Sequence, residues 1–435
     1  MREHVRPTAA QAQINLHTVL QLVAAGRLRC SQTTRRPAAA TVAAIAEVLD
    51  DGDFYPDEPI AAFAWPLLLQ AGGLAELASG RLQLTDRGRA ALAKPAAATI
   101  RQLWRSWITT TVLDELTRVD EIKGQRAANV LTSVKTRRKA VATALAGCPR
   151  DEWIAVDDLF ATMRRKRETS PTIARSERAL WKLYLVDPQY GSLGYSGFAD
   201  WPILEGRYTL AVVFEYAATL GLIDIDYTDP AGARTDYHDN WGSDDLDCLS
   251  RYDGLLAIRL NPLGAHALGL TGNYQPPAST TAPERTLKVL PTLDIVAVGD
   301  PTAADRLILD AHAEHTSDRV WTVRANTLLA AVDTGRQLGH FVAFLTDRAT
   351  HDLPAALAVL VDDVTTRATR IRDGGLVRLV ECADAPLAAL IARDPKLRTL
   401  CTLVGDHHLA VPVEHEKQFR RTLRTLGHTI ATPTG

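Results

Sequence analysis

Arginine is the residue type in this sequence best placed to do chemistry, and that chemistry is the recognition of anions. A planar guanidinium meets phosphate or carboxylate oxygens through two parallel hydrogen bonds. Four basic runs stand out: RLRCSQTTRR at 27–36, KTRRK at 135–139, RRKR at 164–167 and FRRTLR at 419–424. They nominate Arg27, Arg29, Arg35 and Arg36, with Arg81 and Arg87 further on, as contacts to DNA phosphates. Lys135, Arg137, Arg138, Lys139, Arg164, Arg165, Lys166 and Arg167 form a second set of candidates. A basic run is ordinarily a solvated helix face, so the runs count towards a polyanion site only where they share a surface. The net charge of -2 over 435 residues excludes a uniformly basic coat, and any nucleic-acid contact must be local.

Other chemistry is thin. Asp114 with Glu121-Ile122-Lys123 mimics the D…E-x-K set of nucleases, in which the glutamate and lysine share one side of a strand. The surrounding apolar spacing predicts a helix instead, where positions i and i+2 diverge. The sequence holds no G-x-x-x-x-G-K-[ST] phosphate loop, no G-x-S-x-G and no H-E-x-x-H. His312 and His315 of HAEH, and the histidines of DHH at 406–408, have no third ligand marked and are expected on the surface. Cys30, Cys148, Cys248, Cys382 and Cys401 include no C-x-x-C pair and read as small apolar residues. The expectation is a protein without enzymatic activity, cofactor or metal.

The elements that would carry the arginines are announced by a repeated phrase, LTDRGRAAL at 84–92 and LNPLGAHAL at 260–268. Each copy runs from a strand into a helix capped by Thr85 or Asn261, with a glycine, Gly88 or Gly264, at the fifth position. Upstream of each lies a helix, a strand, a turn or loop and a second strand, which is the order of a winged helix. The first copy adds an amphipathic helix with Leu16, Val19, Leu20 and Val23 on one face and a further helix at 41–49. Arg35 and Arg36 would then sit near the N-terminus of that second helix, where backbone N–H groups favour a phosphate. In the second copy, Leu210, Val213, Phe214 and Ala217 mark a helix face, and the intervening loop is acidic, with Asp229, Asp236, Asp239, Asp244, Asp245, Asp247 and Asp253. Such a loop opposes a phosphate field, so this module is expected to dock protein. Its aspartates do not follow a calcium-loop spacing.

The length suggests several domains. The expected organisation is multidomain α+β: a winged-helix domain at 1–95, a helical connector at 96–150, a second winged-helix domain at 151–272, a Pro/Ser/Thr-rich linker at 273–285 and an α+β domain at 286–433. The start of the sequence has no apolar signal core and no apolar run reaches membrane-spanning length, so a cytoplasmic protein without membrane partners is expected.

The stretch from VLPTLDIVAVG to LAVLVDD resembles the helicase-associated domain of XPB-type translocases. The marks are Pro291 and Asp294 in the first strand, the T-L-x-x-A-x-x-x-G helix end from Thr327 to Gly335, and Leu353-Pro354. The arrangement of winged helices followed by this domain is similar to the TFIIH subunit that clutches the XPB translocase. The resemblance implies a clutch-like C-terminal domain and a non-enzymatic, DNA-binding adaptor partnering a superfamily 2 helicase or translocase in repair or defence. DNA contact by arginine clusters would be sequence-tolerant. Two other readings stand beside it: a stand-alone winged-helix regulator that self-associates through its C-terminal domain, and an enzyme whose site is assembled from scattered residues.

Overall fold

The repeated phrase has a direct physical explanation in the computed structural model, which describes residues 4–92, 94–195, 200–276, 285–371 and 374–431. The side chain of Thr85 accepts a hydrogen bond from Gly88 N at 3.1 Å, and that of Asn261 accepts one from Gly264 N at 2.9 Å. A Cβ on Gly88 would stand 2.0 Å from the carbonyl oxygen of Leu74, and one on Gly264 1.9 Å from that of Leu222. In both halves, therefore, a capped helical turn is pressed onto backbone, an approach that glycine alone permits.

In the first half, β1 (Val5–Arg6) leads into α1 (Ala9–Ala24), α2 (Ala39–Ala46) and α3 (Ala61–Ala71). The antiparallel hairpin β2 (Ala75–Ala78) and β3 (Arg81–Leu84) follows, then α4 (Asp86–Ala91). Ser79 and Gly80 turn the hairpin with φ of 49° and 79°, the paired positive angles that suit strand twist. The expected stripe of α1 is buried at Leu16, Val19, Leu20 and Val23.

The expected helical connector is only partly helical. α5 (Ala96–Thr109) and α6 (Val134–Ala146) are separated by irregular chain containing one short 3-10 turn, Glu115–Arg118. Arg138 explains the stop: its Nη1 donates to the carbonyls of Trp107 and Thr110 at the end of α5, taking groups a continuing helix would use. Lys123, expected on a helix, forms an isolated β-bridge with Tyr184.

The second half contains β4 (Trp153–Ala155), α7 (Val156–Arg165), α8 (Glu177–Leu180) and a helical run in which α9 (Arg207–Leu210) joins π-helical segments Pro202–Gly206 and Ala211–Ala218. Every residue from Arg207 to Ala218 is buried, so the expected one-sided face at Leu210, Val213, Phe214 and Ala217 is a helix enclosed on all sides. β5 (Ile223–Tyr227), β6 (Leu255–Leu260) and α10 (Pro262–Ala267) complete it. The sheet order is β1-β5-β6-β4, all antiparallel, with Arg6 opposite Ile225 and Ile225 opposite Ile258. The first strand of the chain thus belongs to the sheet of the second half. One continuous apolar core runs from Ala12 to Ala267 across the expected divisions at 95/96 and 150/151.

Beyond the expected linker, of which residues 277–284 lie outside the described residues, come β7 (Leu287–Val289), β8 (Asp294–Ala297), α11 (Ala303–His312), β9 (Glu314–Ser317), β10 (Val320–Thr322), α12 (Ala325–Asp333), α13 (Leu338–Arg348) and α14 (Ala355–Ala368). The sheet β7-β8-β10-β9 and its helices enclose a second core around Ile295, Leu309, Trp321 and Phe341. Of the HAEH histidines expected on the surface, His312 is not there: it closes α11 and is 3% exposed, while His315 is exposed in β9 and stacks on Trp321 with centroids 4.8 Å apart. The chain divides into two compact units, Met1–Val364 and Thr365–Gly435. The expected 286–433 domain therefore spans both. The second unit holds β11 (Val377–Glu381), α15 (Ala385–Arg393), β12 (Thr402–Val404), β13 (His408–Pro412) and α16 (Glu416–Thr425), with sheet order β11-β13-β12 and a core of its own around Ile391, Leu409 and Phe419. Among the described residues no helix is long and apolar enough to cross a membrane.

Candidate nucleic-acid interface

The first basic run is organised by a short strand that sequence reading did not anticipate. Cys30 N donates to Gly80 O at 3.1 Å and Leu82 N to Leu28 O at 2.9 Å, adding residues 28–30 as a third line beside β3. Arg29 and Arg81 are direct antiparallel partners in this arrangement, and both are exposed. Residues opposite one another share a face, and like charges placed so are mutually destabilising unless something neutralises them. Arg27 is exposed two residues earlier, on the same side of an extended segment, while Leu28 between the two arginines is buried. Gln83 follows Arg81 by two residues, stands opposite the exposed Glu76 of β2, and lines a cavity of about 580 Å³ with Val23, Gly26, Arg89 and Gly335. Thr41 holds the strand in place, its hydroxyl accepting from Arg29 N at 2.8 Å.

The remaining candidates separate. Arg35 is exposed at a φ of 62°, but Arg36 donates through Nη2 to Thr117 Oγ1 at 2.6 Å and serves the fold. Arg87 is exposed on α4 beside a different cavity, which it shares with Asp86 and Lys94. In the second set, Lys135 and Lys139 are exposed on α6, and Arg164, Arg165, Lys166 and Arg167 at the end of α7, with Arg164 5.4 Å from the Trp201 ring centre. Arg137 and Arg138 are not surface cations: each is 1% exposed. Arg137 pairs with Asp114 at 2.5 Å and Arg138 with Glu115 at 2.5 Å, so neither is available to a phosphate.

Those pairs belong to a buried polar network. Tyr208 donates to Glu115 at 3.0 Å, Arg118 to both oxygens of Glu215 at 3.2 and 3.0 Å, and Tyr252 to Glu215. Burial pushes the Glu115 carboxyl up, with the Arg138 charge opposing it. A perturbed carboxylate often marks an active site, but the Glu115 oxygens are taken by Arg138 and Tyr208 and the side chain is 0% exposed. The acidic loop is likewise used internally. Arg207 pairs with Asp253 at 3.0 Å and Asp236 at 2.6 Å, and Arg234 bridges Asp236 and Asp157. Asp229, Asp239, Asp244, Asp245 and Asp247 remain exposed. Among the described residues no group of three or more His, Cys, Asp or Glu side chains is placed to hold a metal ion.

The helix that would enter a DNA groove in a winged helix is α3, and its sequence AAFAWPLLLQA is buried at Ala61, Ala62, Ala64, Trp65, Pro66, Leu67, Leu68 and Leu69. Phe63, only partly buried, is covered by the Arg118 guanidinium 3.7 Å from the ring centre, and Gln70 Nε2 donates to Arg35 O and Pro66 O. The buried face of α3 therefore leaves little of it to read base edges, and the first half presents an exposed arginine face beside β3, a type of surface that makes backbone rather than base contacts.

In the segment beginning at β7, the residues that carried the resemblance hold structure. Asp294 accepts from Thr322 Oγ1 at 2.7 Å and Thr292 Oγ1 at 2.9 Å, which keep its carboxyl below the usual range and tie β8 to β10. Thr327 Oγ1 donates to Arg324 O at 2.8 Å at the start of α12, and Gly335 ends the helix at a φ of 84°. Residues 287–403 match the helicase conserved C-terminal domain family. The match begins at β7 and ends inside β12. No curated protein matches the chain.

Proposed function

We propose that the chain is a non-enzymatic, DNA-binding adaptor that partners a superfamily 2 helicase or translocase of the XPB type through its helicase-type domain. The first half is read as a winged helix, from its order of helix, short strand, two helices and hairpin, and residues 151–272 as a second module built on the same capped-glycine phrase. The observation that carries the reading is the pair Arg29 and Arg81, held in register on an exposed face with no carboxylate among the described residues bound to either. An extended polyanion is the partner that relieves their repulsion. With α3 buried, binding is sequence-tolerant. Duplex binding by the full chain, measured together with ATP turnover, tests this: the adaptor binds DNA and hydrolyses no ATP. Turnover that persists through repurification, or the absence of DNA binding, contradicts it.

A second reading, a self-associating regulator, is favoured by one feature of the second unit. Val377, Leu379 and Val404 lie on one face of the β11-β13-β12 sheet, with Leu379 60% exposed. An apolar sheet face of this kind drives association. Sedimentation of the full chain separates the two, since the adaptor is a monomer and the regulator a dimer.

A further inference from the structure

Within the first unit, α1 lies against α11, and the chain after α12 crosses the end of α4. Gly335 makes the crossing possible: a Cβ there would stand 2.5 Å from Cδ of Arg89. Two cavities meet at Arg89 and Gly335. The outer one, of about 580 Å³, is lined also by Thr334 and Asp333; the inner one, of about 20 Å³, by Gln21, His312, Arg336 and His340. The inner space holds about one water, the outer a small polyatomic ion.

The side chains around this junction are short of an anion. Arg336 is half-buried, and its Nη1 donates to Thr334 Oγ1 at 2.5 Å, while its Nε is buried with no partner. Desolvation pushes the Arg336 guanidinium down, and no carboxylate offsets the effect. A guanidinium taken out of water without a counter-charge is costly. His312 is 3% exposed, stacks on Phe341 at 4.5 Å, and uses Nδ1 to donate to Ile308 O at 2.8 Å. Its Nε2 is buried without a partner, and the residue lines the inner cavity. Burial, and then the neighbouring Arg336 and His340, push the His312 imidazole down to about 4. The ring is therefore neutral at pH 7, with Nε2 an unused acceptor. Arg89 is partly occupied, donating to Leu84 O at 2.7 Å and Asp86 at 2.5 Å. His17 of α1, also pushed down by burial, donates through Nε2 to Lys94 O at 3.2 Å. The acidic groups facing the junction are Asp333, exposed at its outer rim, and Asp86, already paired.

We propose that this junction is a phosphate-binding site, with Arg336, Arg89 and Thr334 holding the anion and His312 completing it through Nε2 by way of one water. The ligand chemistry is a phosphate group, free or at the end of a nucleic-acid strand. A phosphate between the two guanidiniums supplies the missing counter-charge. It also raises the affinity of His312 for a proton, which turns Nε2 from an unused acceptor into a donor towards the anion. The site does not depend on the arginine pair of the hairpin edge, so it can be tested apart from the DNA-binding reading.

The test titrates inorganic phosphate into the full chain by calorimetry at pH 7 and constant ionic strength, with the His312 ring followed by NMR on histidine-labelled protein. Saturable binding is expected, weakened by about tenfold or more in Arg336→Gln, as removal of a charge-assisted hydrogen bond implies, and largely kept in Arg336→Lys. The titration midpoint of His312 in the unaltered chain should rise when phosphate is present, which requires no variant to fold. Oligonucleotides with a 5′-phosphate or a 5′-hydroxyl then separate the sources. A preference for the phosphorylated strand that disappears in Arg336→Gln supports a strand end, and phosphate binding without that preference supports a free phosphate ligand. No saturable phosphate binding, or equal binding in Arg336→Gln with an unmoved His312, overturns the site.

Discussion

Arg138 Nε donates to Glu115 Oε1 at 2.5 Å, and the two side chains are 1% and 0% exposed. The same guanidinium lies 4.0 Å from the Trp107 ring centre and donates to the carbonyls of Trp107, Thr110 and Leu113. One side chain thus closes α5 and fixes the irregular chain behind it. Arg138→Ala leaves Glu115 buried without its counter-charge, and is expected to lower unfolding free energy by roughly 3–5 kcal/mol in urea titrations. Replacing both partners with apolar residues should cost less than the single change. A single variant as stable as the parent would contradict this role.

Gly88 and Gly264 should behave as a matched pair. Alanine at either drives a Cβ to within 2.0 or 1.9 Å of a backbone carbonyl that has no free end to swing aside. Each substitution is expected to cost about 1–3 kcal/mol, the range of overpacking, with Thr85→Ala and Asn261→Ala nearer ~1 kcal/mol for removal of a cap. Thermal melts of the four variants check the order: glycine changes more severe than cap changes in both halves.

Glu205 predicts a dependence on pH. Its Oε1 accepts from Ile173 N at 3.2 Å, and burial pushes its carboxyl up to about 7. The folded state therefore holds a proton that the unfolded chain releases near its ordinary value of 4.5. Its contribution to stability is complete below that value and is lost as pH rises towards 7. Glu205→Gln should flatten this loss between the two values in denaturant titrations. A variant whose stability keeps the parent's slope across that window contradicts the assignment.

What is legible in the sequence and what is not divide on physical lines. Leu16, Val19, Leu20 and Val23 are legible because one face of α1 is buried, and 3.6-residue spacing reports a single buried face. The Thr85 and Asn261 caps are legible because capping is local. The KTRRK run is not, because charge spacing does not reveal side: the carboxylates that draw Arg137 and Arg138 inward lie 23 residues upstream. The helix around Phe214 loses its one-sided pattern because it is enclosed on every side. The strand at Arg29 and the pairing of Val5 with Asp226 involve two or three residues, too few for a period, and their partners are remote. Basic residues at 27–36 and 81 can be picked out by type alone, yet the facing register of Arg29 and Arg81 follows only from that remote pairing.

If DNA backbone lies along Arg29 and Arg81, as proposed, binding must weaken with salt in proportion to the phosphates they neutralise. Fluorescence anisotropy of a labelled duplex with the full chain, repeated over a range of salt, gives the slope of log affinity against log salt. Arg29→Ala with Arg81→Ala is expected to weaken binding to unrelated duplex sequences alike and to reduce that slope by about 0.9 for each phosphate left unneutralised. An unchanged slope in the double variant, or a weakening confined to one sequence, would contradict it.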